Sequence, residues 1–131
     1  MPETHRMHVR IYYEDTDFSG FVYHAAYLKF FERGRTEFLR DLGVYHAELA
    51  EQGLAFAVRS MEIDFEAAAR IDDLLCVETA VVESSGARLM LSQSVTRGDR
   101  VLTQARVVVA AVRIGGGATR LPKALLERLR S

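Results

Sequence analysis

The sequence predicts an α+β domain in which an antiparallel sheet curls round one long aromatic helix. Three observations lead there. From about Tyr23 to Leu42 the apolar residues recur at helical spacing. Tyr27, Phe30, Phe31, Gly34, Phe38 and Leu42 fall on one stripe, with Lys29, Glu32, Arg33, Thr36, Glu37 and Arg40 opposite. From Leu54 to Ile114 the spacing changes to alternation, broken at Ser84–Ala87 and at Gly98-Asp99 as hairpins require. No repeat, linker or low-complexity tract divides the 131 residues, so residues 1–131 are read as a single domain, long enough to bury a core. A stripe this aromatic needs a large apolar cover, and a sheet that follows it in the chain supplies one.

The elements follow in order. His8 to Tyr13 is rich in β-formers and reads as the first strand, with Val9 and Ile11 on one face. Glu14 to Gly20 is a loop, because Asp, Ser and Gly favour turns. The long helix then runs to Gly43, which suits a C-terminal cap. Gly34 within its stripe costs about 1 kcal/mol of helix stability relative to Ala, which close approach of another backbone would justify. Tyr45 to Gln52 is a short helix ended by Gly53. In Leu54 to Glu66 the residues Phe56 and Val58 are out of phase with Met61, Ile63 and Phe65, which predicts a bulge near Arg59-Ser60. Leu74–Glu83, Arg88–Arg97 and Val101–Ile114 complete the strands. The run Ala105–Val112, apolar except for Arg106, is expected at the centre of the sheet. Gly115–Gly117 ends it, and Leu121-Pro122 introduces a last helix over Lys123–Leu129. Exposed sheet edges are a liability that pairing across a two-fold axis would resolve.

Composition excludes several classes. A formal net charge of -1 does not fit a general nucleic-acid binder. No apolar run approaches the roughly 18 residues of a membrane span, and no basic-then-apolar leader opens the chain. Cys76 is the single cysteine, so no intrachain disulfide forms and a reducing cytoplasm is expected.

The residues best placed for chemistry precede the long helix. Asp17 is ionised at neutral pH and can serve as nucleophile or general base. Asp15 and Asp17 can equally be turn formers or helix caps, and their spacing leaves both readings open. His24 stands near the first helical turn, where its backbone N–H can polarise a carbonyl or its side chain can simply face solvent. Glu32 and Arg35 read as an intrahelical ion pair, and Arg88 and Lys123 as surface charges or a basic rim for a phosphorylated ligand. No ligand spacing for a metal, no phosphate loop and no dinucleotide fingerprint is present.

With Tyr13-Glu14-Asp15-Thr16-Asp17, Gly20, Val22-Tyr23-His24, Tyr27 and Phe31–Glu37 at fixed distances, the chain resembles the hotdog-fold acyl-CoA thioesterases of the 4-hydroxybenzoyl-CoA thioesterase type. The likeness is to the YbgC branch found with bacterial Tol–Pal genes, and it extends loosely to Arg120-Leu121-Pro122. The resemblance implies a five-stranded antiparallel sheet wrapped around the helix, and a dimer formed by sheet extension, often a dimer of dimers (a homotetramer). It implies hydrolysis of an acyl-CoA, of short to medium aliphatic or of aromatic acyl chain, without metal or cofactor. CoA is then part of the substrate, and an acyl group on acyl carrier protein is the alternative. A non-catalytic acyl or CoA binder is the further alternative, against which the intact Asp17 stands. Carried over, Asp17 is the catalytic carboxylate and the His24 backbone N–H the oxyanion donor. Tyr23 and His24 line the acyl site with Tyr27 beside them, Glu32 reaches it from the helix or across the dimer, and Arg88 and Lys123 face the CoA phosphates. The chain departs from many relatives in having Ala26 where they have Asn, and no Pro near Ala67-Ala68.

Overall fold

The computed structural model describes residues 2–129. Its elements are β1 (His5–Arg10), α1 (Ala26–Asp41), α2 (His46–Glu51), β2 (Leu54–Phe65), β3 (Leu74–Ser84), β4 (Arg88–Arg97), β5 (Arg100–Arg113) and α3 (Lys123–Leu129), with a single 3-10 turn at Tyr13–Asp15. The five strands form one antiparallel sheet in the order β1-β3-β4-β5-β2. Helix α1 packs on β1, β3 and β4.

Alternation turns one face of β3, β4 and β5 into the core. Leu75, Val77 and Thr79 from β3, Leu89, Leu91, Gln93 and Val95 from β4, and Thr103, Ala105, Val107 and Val109 from β5 are all buried. Phe30, Phe31 and Phe38 of α1 are inaccessible or nearly so, and Leu121, Leu125 and Leu129 join the same core. Each buried Phe contributes about 1.5–3 kcal/mol of transfer free energy. The expected stripe on the helix is the buried one, with Leu39 rather than the half-buried Leu42 at its end.

Several expectations shift. The first strand is His5–Arg10 rather than His8–Tyr13. It ends early because the Tyr12 N–H donates to Asp15 Oδ2 at 2.8 Å and the Asp15 N–H to the Tyr12 carbonyl at 3.0 Å, closing a turn in place of a ladder. Ile11 remains buried on the same face as Val9. The long helix starts at Ala26, three residues after Tyr23, for a reason taken up below. The bulge falls at Arg59, where the β2–β5 register slips between Val58 and Ser60. The middle strand is β4, and β5 is interior but one place from the edge. Gly34 meets side chains, not another backbone: a Cβ there would lie 2.8 Å from Val77 Cγ1, 3.1 Å from Thr79 Oγ1 and 3.2 Å from Gln93 Nε2. The helix can lie this close to β3 and β4 only because that position carries no side chain.

Candidate active site

The loop after β1 folds as a small antiparallel excursion. Thr16 bridges to Val22, the Asp17 N–H donates to the Phe21 carbonyl at 3.0 Å, and the Gly20 N–H returns to the Asp17 carbonyl at 3.0 Å. Gly20 takes φ 86°, a left-handed conformation that suits glycine at the close of the turn. The excursion is tied to the β2–β3 connection, because the Val22 N–H donates to the Ala69 carbonyl at 2.8 Å and Phe21 bridges to Arg70. Arg70 also lays its guanidinium over the Phe21 ring at 4.8 Å.

Asp17 sits at the head of this turn and is exposed. Its Oδ1 accepts a short hydrogen bond from the Ser19 hydroxyl and one of 2.9 Å from the Ser19 N–H, so both bonds fall on one carboxylate oxygen. The Ser19 hydroxyl, then the Ser19 N–H, holds the carboxyl below its ordinary value of 3.8, against a smaller opposing effect of burial and with a lesser contribution from the His24 ring. Asp17 is therefore both a turn former and an exposed carboxylate whose charged form the turn favours. Asp15 is a turn residue alone among the two, since its carboxylate caps Tyr12.

The approach to α1 explains the late helix start. The Tyr23 N–H is taken by the Asp15 carbonyl at 2.9 Å, and the following turn uses the N–H groups of Ala26, Tyr27 and Leu28, which donate to Tyr23, His24 and Ala25. The N-cap is Ala25, with no side-chain cap. The N–H groups of His24 and Ala25 stand outside this hydrogen-bond network, at the positive end of a 16-residue helix. Ala26 is buried, with its N–H donating to the Tyr23 carbonyl, and contributes no polar side chain to the turn.

Tyr23 and His24 stack at 4.5 Å between ring centroids, and Phe65 at the end of β2 presents an edge to His24 at 6.1 Å and to Tyr27 at 5.9 Å. Tyr23 and Phe65 are each about half exposed. Tyr27 is buried instead; its hydroxyl accepts from the Ala69 N–H at 3.2 Å, and burial pushes its phenol up. It forms the wall behind the cluster.

The other candidates lie elsewhere. Glu32 accepts from the Thr36 hydroxyl at 3.1 Å, and Thr36 also meets His46 Nε2 at 3.3 Å. These residues, Arg35 and Phe56 line a cavity of about 140 Å³ between α1, α2 and the sheet. Glu32 and Arg35 do not form the expected ion pair. Arg35 donates instead to Gln93 Oε1 at 3.0 Å, and burial draws its guanidinium down against the pull of Glu32. Gln93 is itself locked by bonds of 2.9 Å from its Nε2 to the Phe31 carbonyl and to Thr79 Oγ1. Arg88 begins β4, and Lys123 follows Leu121, whose N–H donates to the Gly86 carbonyl at 2.7 Å. Both therefore lie at the β3–β4 hairpin, whereas the Asp17 loop adjoins the far end of the sheet. Along β4 those ends are about 30 Å apart at ~3.4 Å per residue. Within one chain, Asp17, His24, Tyr23 and Phe65 gather, while Arg88 and Lys123 do not join them. Ser19 and Phe65 were not singled out in the sequence. Ser two residues after Asp is the signal of a side-chain-capped turn and was there to be seen. Phe65 carried no signal beyond its strand. Among the described residues, no group of three or more His, Cys, Asp or Glu side chains is placed to hold a metal ion.

A five-stranded antiparallel sheet packed on one long helix is the hotdog fold. The match to known proteins agrees: residues 11–129 fit the thioesterase-like superfamily, and the chain belongs to that family, a family of hotdog-fold enzymes. It is 52 % identical over 108 residues to the acyl-CoA thioesterase YbgC of Haemophilus influenzae, covering 82 % of this chain and 79 % of that one. It is 41 % identical to the acyl-CoA thioester hydrolase YbgC of Escherichia coli, covering 82 % and 81 %. Among solved structures, a probable thioesterase from Bartonella henselae superposes with a TM-score of 0.88 at 46 % identity, covering 92 % of this chain and 100 % of that one. No helix is long and apolar enough to cross a membrane among the described residues.

Proposed function

We propose that the protein hydrolyses acyl-CoA thioesters to the free acid and CoA at the front of α1. The observation that carries this reading is the pairing of an ionised, solvent-facing Asp17 with a helix start whose His24 and Ala25 N–H groups stand outside the turn's own hydrogen bonds. The YbgC relatives of Haemophilus influenzae and Escherichia coli, an acyl-CoA thioesterase and an acyl-CoA thioester hydrolase, support it. Asp17 supplies the electron pair, either by attacking the thioester carbon directly or by taking a proton from the attacking water. The carbonyl oxygen gains charge as the new bond forms, and the His24 N–H at the positive helix end stabilises it. The C–S bond then breaks and CoA leaves as the thiolate, which takes a proton from solvent or from the protonated Asp17; in the direct route, water then cleaves the acyl–Asp17 anhydride, releasing the free acid and restoring the carboxylate. Tyr23, the His24 ring and Phe65 provide apolar surface for the acyl group, with Tyr27 as their backing. The half-exposed rings suit a short to medium aliphatic chain or one aromatic ring. The residues named need no metal or cofactor for these steps, and the single Cys76 fits a cytoplasmic setting.

The outer edge of β2 is unpaired among the described residues, and Val58 and Phe65 on it are each 49 % exposed. Pairing of two β2 edges across a two-fold axis supports a dimer and, by stacking of dimers, a tetramer. Because β2 starts at the β3–β4 hairpin and ends beside the Asp17 loop, antiparallel pairing carries Arg88 of the partner subunit and Lys123 of the partner subunit toward the site. That arrangement gives the two cations a role with the CoA phosphates that one chain alone does not. The test is thiol release from a panel of aliphatic and aromatic acyl-CoA esters and from the same acyl groups on acyl carrier protein. Hydrolysis of the CoA esters supports the reading, preference for the carrier protein redirects it to that carrier, and no hydrolysis of any ester alongside measurable CoA binding overturns it in favour of a binder.

A further inference from the structure

We propose that Tyr27 is a positioning residue of the site, its hydroxyl fixing the Asp17 turn relative to the His24 N–H. This rests on the thioesterase reading of those two groups and adds to it a residue that touches no reacting atom. Tyr27 is bonded toward both halves of the site. Its own N–H donates to the His24 carbonyl at 3.3 Å, and its hydroxyl accepts from the Ala69 N–H at 3.2 Å. The Ala69 carbonyl in turn accepts from the Val22 N–H at 2.8 Å. One residue back, the Phe21 carbonyl accepts from the Asp17 N–H at 3.0 Å. A single line of hydrogen bonds therefore runs from the helix that carries the oxyanion donor, through the phenol and Ala69, to the turn that carries the carboxylate.

The middle of the β2–β3 connection depends on that phenol. One end of the connection is held by the Glu66 and Ala67 N–H groups, which donate to the Leu102 carbonyl at 2.8 and 3.1 Å. The other end is held by Ile11, whose N–H donates to the Asp73 carbonyl and whose carbonyl accepts from the Asp72 N–H, both at 2.9 Å. Between these anchors the Ala69 N–H meets the Tyr27 hydroxyl. Ala69 has no exposed surface and Tyr27 only 2 %, so bulk water does not reach the bond. Without the hydroxyl the buried N–H is left unpaired, and the segment must shift to satisfy it. The ring itself is fixed edge-on by Phe30 and Phe65, each at 5.9 Å between centroids. Burial pushes the phenol up, so the hydroxyl keeps its proton and acts as a strut rather than as an acid or base. Both ends of the connection stay anchored when the bond is lost, so the fold survives while the Asp17 turn moves. A displacement of about 1 Å at a reacting group is enough to cost up to about 10²-fold in rate.

The test is a double-mutant cycle on thiol release from one acyl-CoA, using Tyr27→Phe, Asp17→Asn and the pair. Tyr27→Phe is expected to lower kcat about tenfold with KM within about twofold. The acid limb of kcat/KM is expected to stay in place, because Ser19 still holds the carboxylate. In the Asp17→Asn background the same change is expected to cost less than about twofold, since no carboxylate is left to misplace. Replacing Ala69 by lactic acid turns its N–H into an ester oxygen and leaves the phenol intact. That variant is expected to match Tyr27→Phe, and it carries the test if Tyr27→Phe does not fold. Wild-type kcat in either variant, with only Tm lowered, makes the bond purely structural and overturns the proposal. So does an equal loss in both backgrounds, which detaches Tyr27 from Asp17, or a KM that rises as kcat falls, which puts the hydroxyl on the substrate. Undiminished turnover by Asp17→Asn alone is a separate result, which overturns the thioesterase reading of Asp17 itself.

Discussion

Gly34→Ala tests how tightly the sheet grips the central helix. On an exposed helix this change stabilises, by about 1 kcal/mol, because Ala is the better helix former. Here the new Cβ would stand 2.8 Å from Val77 Cγ1, 3.1 Å from Thr79 Oγ1 and 3.2 Å from Gln93 Nε2. Val77 and Thr79 have no exposed surface and Gln93 only 1 %, so none of them can swing into solvent. Overpacking of this kind costs about 1–3 kcal/mol. Moving Gln93 also strains its bonds to the Phe31 carbonyl and Thr79, at about 1 kcal/mol for a lost hydrogen bond. The balance is a net destabilisation of about 2 kcal/mol after the helix-propensity gain, or a fall in Tm of about 6–10 °C for a domain of this size. Urea and thermal unfolding at fixed protein concentration measure it. A rise in Tm would refute the close-contact reasoning, because only a helix with room at position 34 gains from Ala.

Further expectations follow from the site and its supports. Ser19→Ala removes the hydroxyl that contributes most to lowering the Asp17 carboxyl, so that carboxyl rises toward its ordinary value. The base form is the active one, so the acid limb of kcat/KM moves to higher pH, while the rate at pH 7 stays within about threefold because the group is still ionised there. An acid limb that stays in place would separate Asp17 from the limb. The Asp73 carboxyl is lowered first by the Arg70 N–H and then by Arg97, whose Nη1 lies 2.8 Å away. A depressed carboxyl stabilises the fold above its unfolded value and loses that contribution as pH falls through its folded value. Asp73→Asn is therefore expected to cost about 1 kcal/mol at pH 7 in urea unfolding, with the gap closing below the ordinary value of 3.8.

Much of the fold was legible because local chemistry and tertiary packing agree. The stripe from Tyr27 to Phe38 is helical in period and is also the buried face, and the phase change in β2 marks a true bulge at Arg59. The failures are places where one residue's side chain redirects the backbone. Asp15 ends the first strand by capping Tyr12, which no β-propensity reveals. Glu32 and Arg35 have ion-pair spacing on the helix, yet Gln93, 58 residues away, takes the guanidinium. The site was partly legible. The Asp17 carboxylate and the helix start were visible from residue order, but Phe65 reaches His24 only through the sheet, and the distance between Arg88 and Asp17 is a property of strand register alone.

The most direct test of the central claim is thiol release from an acyl-CoA by the wild-type protein and Asp17→Asn at pH 7. The carboxylate is exposed, the backbone bonds to Phe21 and Gly20 do not involve the side chain, and an Asn Oδ1 can still accept from Ser19, so the amide variant is expected to keep a Tm close to wild type. Its turnover is expected to fall by at least about 10²-fold, the scale of losing a positioned base or nucleophile. Near-wild-type turnover by a folded Asp17→Asn protein would contradict the assignment of the chemistry to this carboxylate.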